Sequence, residues 1–282
     1  MKIIITGVGL IGGSFALDLR EVFPEAEILG MDVSREHLEK SIGLGIINGI
    51  AKSDDIKTAD LVIIAIPVDV SIKVVKNILD QVKDDCLVVD TGSTKFRLCD
   101  ALKDDSKRRN FLAAHPIAGT EYSGPEAAVP NLYQNKTMII CEVEKTAFKL
   151  QEKALDIFKK LGMRIRYMDT RAHDKHIAYV SHLSHISSFM LGKTVLEKEK
   201  NERDIFDMAG SGFASTVRLA KSSPAMWTPI FKENRDNVLE TLTEYIANLS
   251  GFKQLLEKND FEEVYREMER TNYIKTILKE IN

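Results

Sequence analysis

The sequence predicts an α/β Rossmann-type dinucleotide-binding domain over residues 1–169, followed by an all-α domain over residues 170–282. Three observations point there. A glycine-rich turn joins the first strand-like run to the first helix-like run. Strand and helix patterns then alternate as far as Asp169. From Arg171 onward strand signal fades and three- and four-residue apolar spacing takes over, most clearly after Trp227. At 282 residues, 44% of them hydrophobic, the chain is long enough for two cores.

The first strand is Lys2 to Thr6, a short β-branched run. Gly7, Gly9 and Gly12 follow at G-x-G-x-x-G spacing, with Leu10 and Ile11 opening the helix. The first glycine permits a tight turn, the second lets backbone approach a pyrophosphate, and the third lets the helix pack on the sheet. The helix N-terminus attracts the anion. Glu27 to Asp32 reads as the second strand, and Asp32 stands where a carboxylate binds the adenosine ribose hydroxyls. A carboxylate there repels a 2′-phosphate, so NAD is expected rather than NADP, although Arg35 lies close by. The bland alternative is that Asp32 only caps the next helix.

Further strands are expected at Ala59–Pro67, Cys86–Ser93, Asn110–Pro116, Lys136–Val143 and Arg164–Asp169, with helices between most of them. Such alternation makes a mostly parallel sheet covered on both faces. Ligands bind such sheets beyond the carboxyl ends of the strands. Pro67, Ser93 and His115 all fall at such ends and should gather near one crevice.

In the helical half, His173, His176, His182 and His185 invite a metal reading. At about 100° per residue, the first pair and the second pair centre on roughly opposite faces of one unbroken helix. No metal site is therefore expected. His173 and His176 read as solvated first-turn residues. His182 and His185 read either as hydrogen-bonded core groups or as a substrate face. Arg218, in "AGSGFASTVRLA", is either an ordinary surface cation or a bidentate carboxylate clamp.

The bulk numbers exclude several classes. Net charge is −3 without long single-sign blocks, which argues against nucleic-acid and membrane-surface partners. Three scattered cysteines read as free thiols in a reducing compartment. The apolar N-terminus is too short to span a membrane, so a cytoplasmic protein is expected.

The motifs "GVGLIGGS", "DTGSTK", "HPIAGTEYSG", "VSHLSH", "GSGFASTVRLA" and "PAMW" occur together and in order. This combination resembles the prephenate/arogenate dehydrogenase family, over roughly Met1 to Ile246. The resemblance implies a Rossmann-type domain, a helical dimerisation domain and a homodimer. It implies that His115 is the catalytic histidine at the ring hydroxyl, and that Ser93 orients it near the nicotinamide. Arg218 would bind the ring carboxylate. His182 and His185 would line the substrate pocket with Ser181, Glu121 would lie near the substrate side chain, and Trp227 near the entrance. Lys95 is a further candidate cation. The family often has an acidic residue and a threonine just before the arginine. Here Ser215 and Val217 stand there, so no local acidic partner for Arg218 is expected. Neither a chorismate mutase segment nor a regulatory domain is expected, so inhibition by tyrosine would act at the active site. Arogenate is the alternative substrate, with Glu121 facing its amine. Other readings are a β-hydroxyacid-type NAD(P) dehydrogenase, for which Lys193 and Lys221 are the available lysines, and a nicotinamide sensor without chemistry.

Overall fold

A computed structural model describes residues 1–200 and 204–281. Eight strands form one sheet: β1 (Lys2–Thr6), β2 (Glu27–Met31), β3 (Gly49–Ile50), β4 (Leu61–Ile64), β5 (Leu87–Asp90), β6 (Phe111–Ile117), β7 (Thr137–Cys141) and β8 (Arg164–Met168). Their order is β3-β2-β1-β4-β5-β6-β7-β8. The first six run parallel in the 3-2-1-4-5-6 order of dinucleotide-binding sheets. Only the β6–β7 pairing is antiparallel.

The helices between the strands are α1 (Leu10–Val22), α2 (Arg35–Gly43), α3 (Ser53–Thr58), α4 (Val68–Leu79), α5 (Phe96–Leu102) and α6 (Phe148–Lys160). Strand residues alternate between two cores. Ile3, Ile5, Leu61, Ile63, Leu87 and Val89 join Phe15 and Leu19 of α1 and Ile157 of α6. Ile4, Val62, Ile64 and Val88 join Val75 of α4 and Leu98 of α5. That two-sided burial is why these strands read as unbroken apolar runs. His115 has the parity of Phe111 and Ala113, which lie in the second core. Its register partner is Ile139 in β7, which lies there too.

After β8 come α7 (Thr170–Ile177), a π-turn over Ala178–His182, and α8 (Leu183–Glu199). Next are α9 (Ser211–Thr216), α10 (Pro224–Glu233), α11 (Arg235–Glu257), α12 (Phe261–Thr271) and α13 (Ile274–Ile281). The predicted single helix through all four histidines is thus interrupted. The chain divides into compact units at Met1–Arg235 and Asp236–Asn282. The first unit holds the whole sheet together with α7–α10. No helix among the described residues is long and apolar enough to cross a membrane.

Candidate active site

The glycine-rich turn is built as its spacing demands. Gly7 has φ +88°, and a Cβ there would lie 2.2 Å from the Ala65 carbonyl oxygen. A Cβ at Gly12 would lie 1.9 Å from the Gly7 carbonyl oxygen. Gly9 is different: a Cβ would meet only Gly124 N, at 3.9 Å, so its freedom leaves room beside the backbone. Gly9 caps the N-terminus of α1, and no acidic residue stands in that helix's first turn. The N–H groups of Leu10, Ile11 and Gly12 thus open a helix whose own first turn carries no acidic side chain to compete with a bound anion. Asp32 Oδ2 accepts from Val8 N at 3.1 Å, and Oδ1 accepts from Ser34 N at 2.9 Å. Its carboxylate is thereby fixed beside the turn, with lone pairs left for hydroxyl groups. These residues fit a dinucleotide. Arg35 is exposed and donates to Glu39 at 2.7 Å. Pro67 stands exposed after β4, at the start of α4.

The second cluster lies at the carboxyl end of β6. His115 is buried, at 8% exposure, and its Nδ1 lies 2.9 Å from His173 Nε2. His173 Nδ1 in turn lies 2.8 Å from Asp174 Oδ1. Asp174 also accepts from the backbone N–H of Lys95 at 2.8 Å and of Phe96 at 2.9 Å. This ties α7 to the loop that carries half-buried Ser93. Asn234 Nδ2 donates to the Asp174 carbonyl oxygen at 2.6 Å and lies 3.2 Å from His182 Nδ1. A hydrogen-bonded chain thus runs from His115 to His182.

Beyond it, the His185 ring stacks on Trp227 at 3.4 Å between centroids, and its Nδ1 donates to the Ser181 carbonyl oxygen at 2.9 Å. His182 meets Trp227 edge-on at 5.8 Å. Val68 of α4 packs with Trp227 and Ile230, which fixes the indole. His182 Nε2 and Trp227 Nε1 are buried without a hydrogen-bond partner among the described residues. Such nitrogens, on two rings in edge-on contact, are costly unless water or a ligand satisfies them. Arg218 donates to Glu121 Oε2 at 2.9 Å. Glu121 sits in the loop after β6, whose Gly119 and Gly124 approach Ile11 and Gly9. That loop links the two clusters.

Burial, aided by the nearby His173, Lys95 and His182, pushes the His115 pKa well below its ordinary value. Burial also lowers His173 and His185, and pushes His182 down to about 4. The three cysteines are buried thiols pushed up to about 12, so none is a ready nucleophile.

Several expectations need correction. His173 is not a solvated first-turn residue: it is 2% exposed and bonded to His115, whereas His176 is exposed. Lys95 is not a free cation, because it is fully buried and ion-paired with Asp90. Trp227 is buried, at 7% exposure, against the rings of His182 and His185. The residues just before Arg218 offer it no acid, as expected, and its partner is Glu121, which is distant in sequence. Asp174 and Asn234 were not singled out by the sequence. The adjacent His–Asp pair after β8 was the one available signal.

A model of the prephenate dehydrogenase nucleotide-binding domain matches residues 15–167, and one of the prephenate dehydrogenase dimerization domain matches residues 169–270. The chain belongs to the prephenate dehydrogenase family. Within that family, the Bacillus subtilis prephenate dehydrogenase is 31% identical over 94% of this chain and 72% of its own length. The Zymomonas mobilis cyclohexadienyl dehydrogenase is 29% identical over 92% of this chain and 89% of its own. The crystal structure of Aquifex aeolicus prephenate dehydrogenase with hydroxyphenyl propionate and NAD+ is 33% identical. It has a TM-score of 0.88 and covers 100% of this chain and 98% of that one.

Proposed function

We propose that this protein is an NAD-dependent prephenate dehydrogenase, which converts prephenate to 4-hydroxyphenylpyruvate and CO2 in tyrosine biosynthesis. The observation that carries the reading is His115, a buried imidazole with one nitrogen engaged by His173 and the other left for a substrate. NAD, held by Gly7, Gly9, Leu10, Ile11, Gly12, Asp32 and Pro67, supplies the hydride acceptor when bound. His115 Nε2 takes the proton of the ring C4 hydroxyl as hydride leaves that carbon. It returns the proton to the oxygen as CO2 departs from C1 and the ring becomes a phenol. Ser93, on the loop held by Asp174, orients the hydroxyl. Arg218 binds the ring carboxylate. The unpartnered N–H groups of His182 and Trp227, with His185 and Ser181, meet the remaining acceptors of a dianion.

Glu121 already holds Arg218, which leaves it less suited to an amine and favours prephenate over arogenate. The helical part serves a homodimer, and three buried free thiols fit a reducing cytoplasm.

The test is reduced-cofactor formation with prephenate or arogenate, each paired with NAD or NADP. Strong turnover is expected with prephenate and NAD. Turnover with arogenate alone would reassign the substrate. No turnover from folded protein that binds NAD would bring the sensor reading forward. The H115N variant should lose turnover by about 100-fold or more with cofactor binding little changed, whereas a sensor would be indifferent.

A further inference from the structure

His115 has two ring nitrogens, and only one arrangement of protons lets it act as a base toward the cleft. Its Nδ1 faces His173, so Nε2 must be bare to accept a proton from a substrate. In an isolated imidazole nothing enforces that tautomer. The hydrogen-bond partner of the other nitrogen sets it.

The partner here is itself a histidine with the same ambiguity. It is resolved one step further on. Asp174 Oδ1 accepts from Lys95 N–H, and Oδ2 accepts from Phe96 N–H. With a backbone donor on each oxygen, this carboxylate faces His173 as an acceptor only. The proton between them therefore sits on His173 Nδ1, at 2.8 Å from Asp174. Burial keeps His173 neutral, so its Nε2 carries a lone pair. That lone pair accepts across the 2.9 Å contact, so the proton there belongs to His115 Nδ1.

We propose that His173 and Asp174 are positioning residues for the proposed dehydrogenase reaction: Asp174 fixes the tautomer of His173, which fixes that of His115 and leaves Nε2 bare. The same carboxylate anchors the N–H groups of Lys95 and Phe96, which follow Ser93 by two and three residues. One side chain thus sets both the base and the loop beside it. When Nε2 takes a proton, the new imidazolium donates into a chain that ends on a negative charge, and the chain polarises to support it.

The groups facing this histidine pair are known from each packed element. Asp174 comes from α7, the buried Asp90–Lys95 pair from β5 and the following loop, and His182 from the π-turn. Asp174 is the acceptor in direct contact with the chain.

The inference rests on the dehydrogenase reading, so its first test needs no activity. Nitrogen-15 spectra of histidine-labelled wild-type protein report which ring nitrogen carries the proton. At pH 7 the expected result is His115 protonated at Nδ1 with Nε2 bare. A proton found on Nε2 overturns the proposal even if turnover is normal. Conversely, absent turnover with prephenate would sink the dehydrogenase reading and leave this measurement to stand on its own.

The second test uses two substitutions at one site. His173→Phe fills the space and removes the acceptor. His173→Gln can donate to Asp174 through its amide nitrogen and accept from His115 through its oxygen. The Phe variant should lose about 100-fold or more in kcat, with KM for prephenate within about threefold. Its acid limb should move to lower pH, because the imidazolium has lost its acceptor. The Gln variant should recover at least about tenfold and return the acid limb toward that of wild type. Equal kcat and equal pH profiles for the two variants would overturn the positioning role.

Discussion

His115, His173, His182 and His185 all carry pKa values lowered chiefly by burial, and that has a consequence for stability. An unfolded histidine takes a proton near pH 6.5, while these native ones resist it to lower pH. Below about 6.5 the unfolded state therefore binds more protons than the native state. Stability is full above that pH and is lost as pH falls toward the native values, about 4 for His182. Melting temperature should drop steadily between pH 7 and pH 5. The H182Q variant should drop less steeply, and an unchanged slope would remove His182 from the account. Arg218 is a different case. Its side chain is 52% exposed, so its pairing with Glu121 contributes little to folding. Held against a substrate carboxylate, a charged hydrogen bond is worth about 1.5–3 kcal/mol, roughly 10- to 150-fold in binding. R218A should raise the prephenate KM by about that factor while the melting temperature stays within about 1 °C.

At the scale of elements, the turn into α1 separates two kinds of glycine. Gly12→Ala drives a Cβ into the Gly7 carbonyl oxygen and within 2.9 Å of the Ile5 side chain. It should cost about 1–3 kcal/mol or more and several degrees of melting temperature. Gly9→Ala meets nothing closer than 3.9 Å and should fold normally, yet in the proposed NAD site its methyl would stand where backbone approaches the pyrophosphate. Calorimetric titration with NAD should show the G9A variant weakened at least about tenfold with its melting temperature unchanged. Unaltered NAD binding would remove Gly9 from the cofactor site. The parallel strands, the turn and its acidic partner were legible because each is a local pattern: β-branched runs, glycine spacing and a carboxylate one strand later. β3 was not, since Gly49 and Ile50 are too few to show a period. The His173 reading failed because a polar first turn does not show that the helix packs this residue against His115. The opposition of the two histidine pairs failed because the helical arithmetic assumed no break. The π-turn adds about one residue to the coil, which rotates α8 back by about 100° relative to α7. His173 and His182 are consequently both buried instead of opposed. Asn234 was hidden because the apolar spacing after Trp227 does not show where one helix ends and the next begins, and Asn234 sits at the junction of α10 and α11. Lys95 read as a cation because sequence shows the lysine but not the Asp90 that claims it.

For the molecule as a whole, the question is what covers the apolar surface of the last three helices. Ile246, Leu249, Phe252 and Leu256 of α11 are exposed, and they fall within an arc of about 120°. Phe261, Tyr265 and Met268 of α12 share one face, as do Ile274, Ile277 and Leu278 of α13. Large exposed apolar patches mark association surfaces. The family's dimerization domain matches through residue 270, so a second copy of this chain is the expected occupant. A symmetric dimer places the same stripe on both partners, so one substitution strikes the interface twice. Light scattering on the eluted protein should give twice the 31.7 kDa of the chain. Leu249→Glu puts two carboxylates into such an interface, where each lacks a partner, and should shift the protein to the single-chain mass. A wild-type mass of one chain at micromolar concentration would sink the dimer. A dimer indifferent to Leu249→Glu would move the interface away from the α11 stripe.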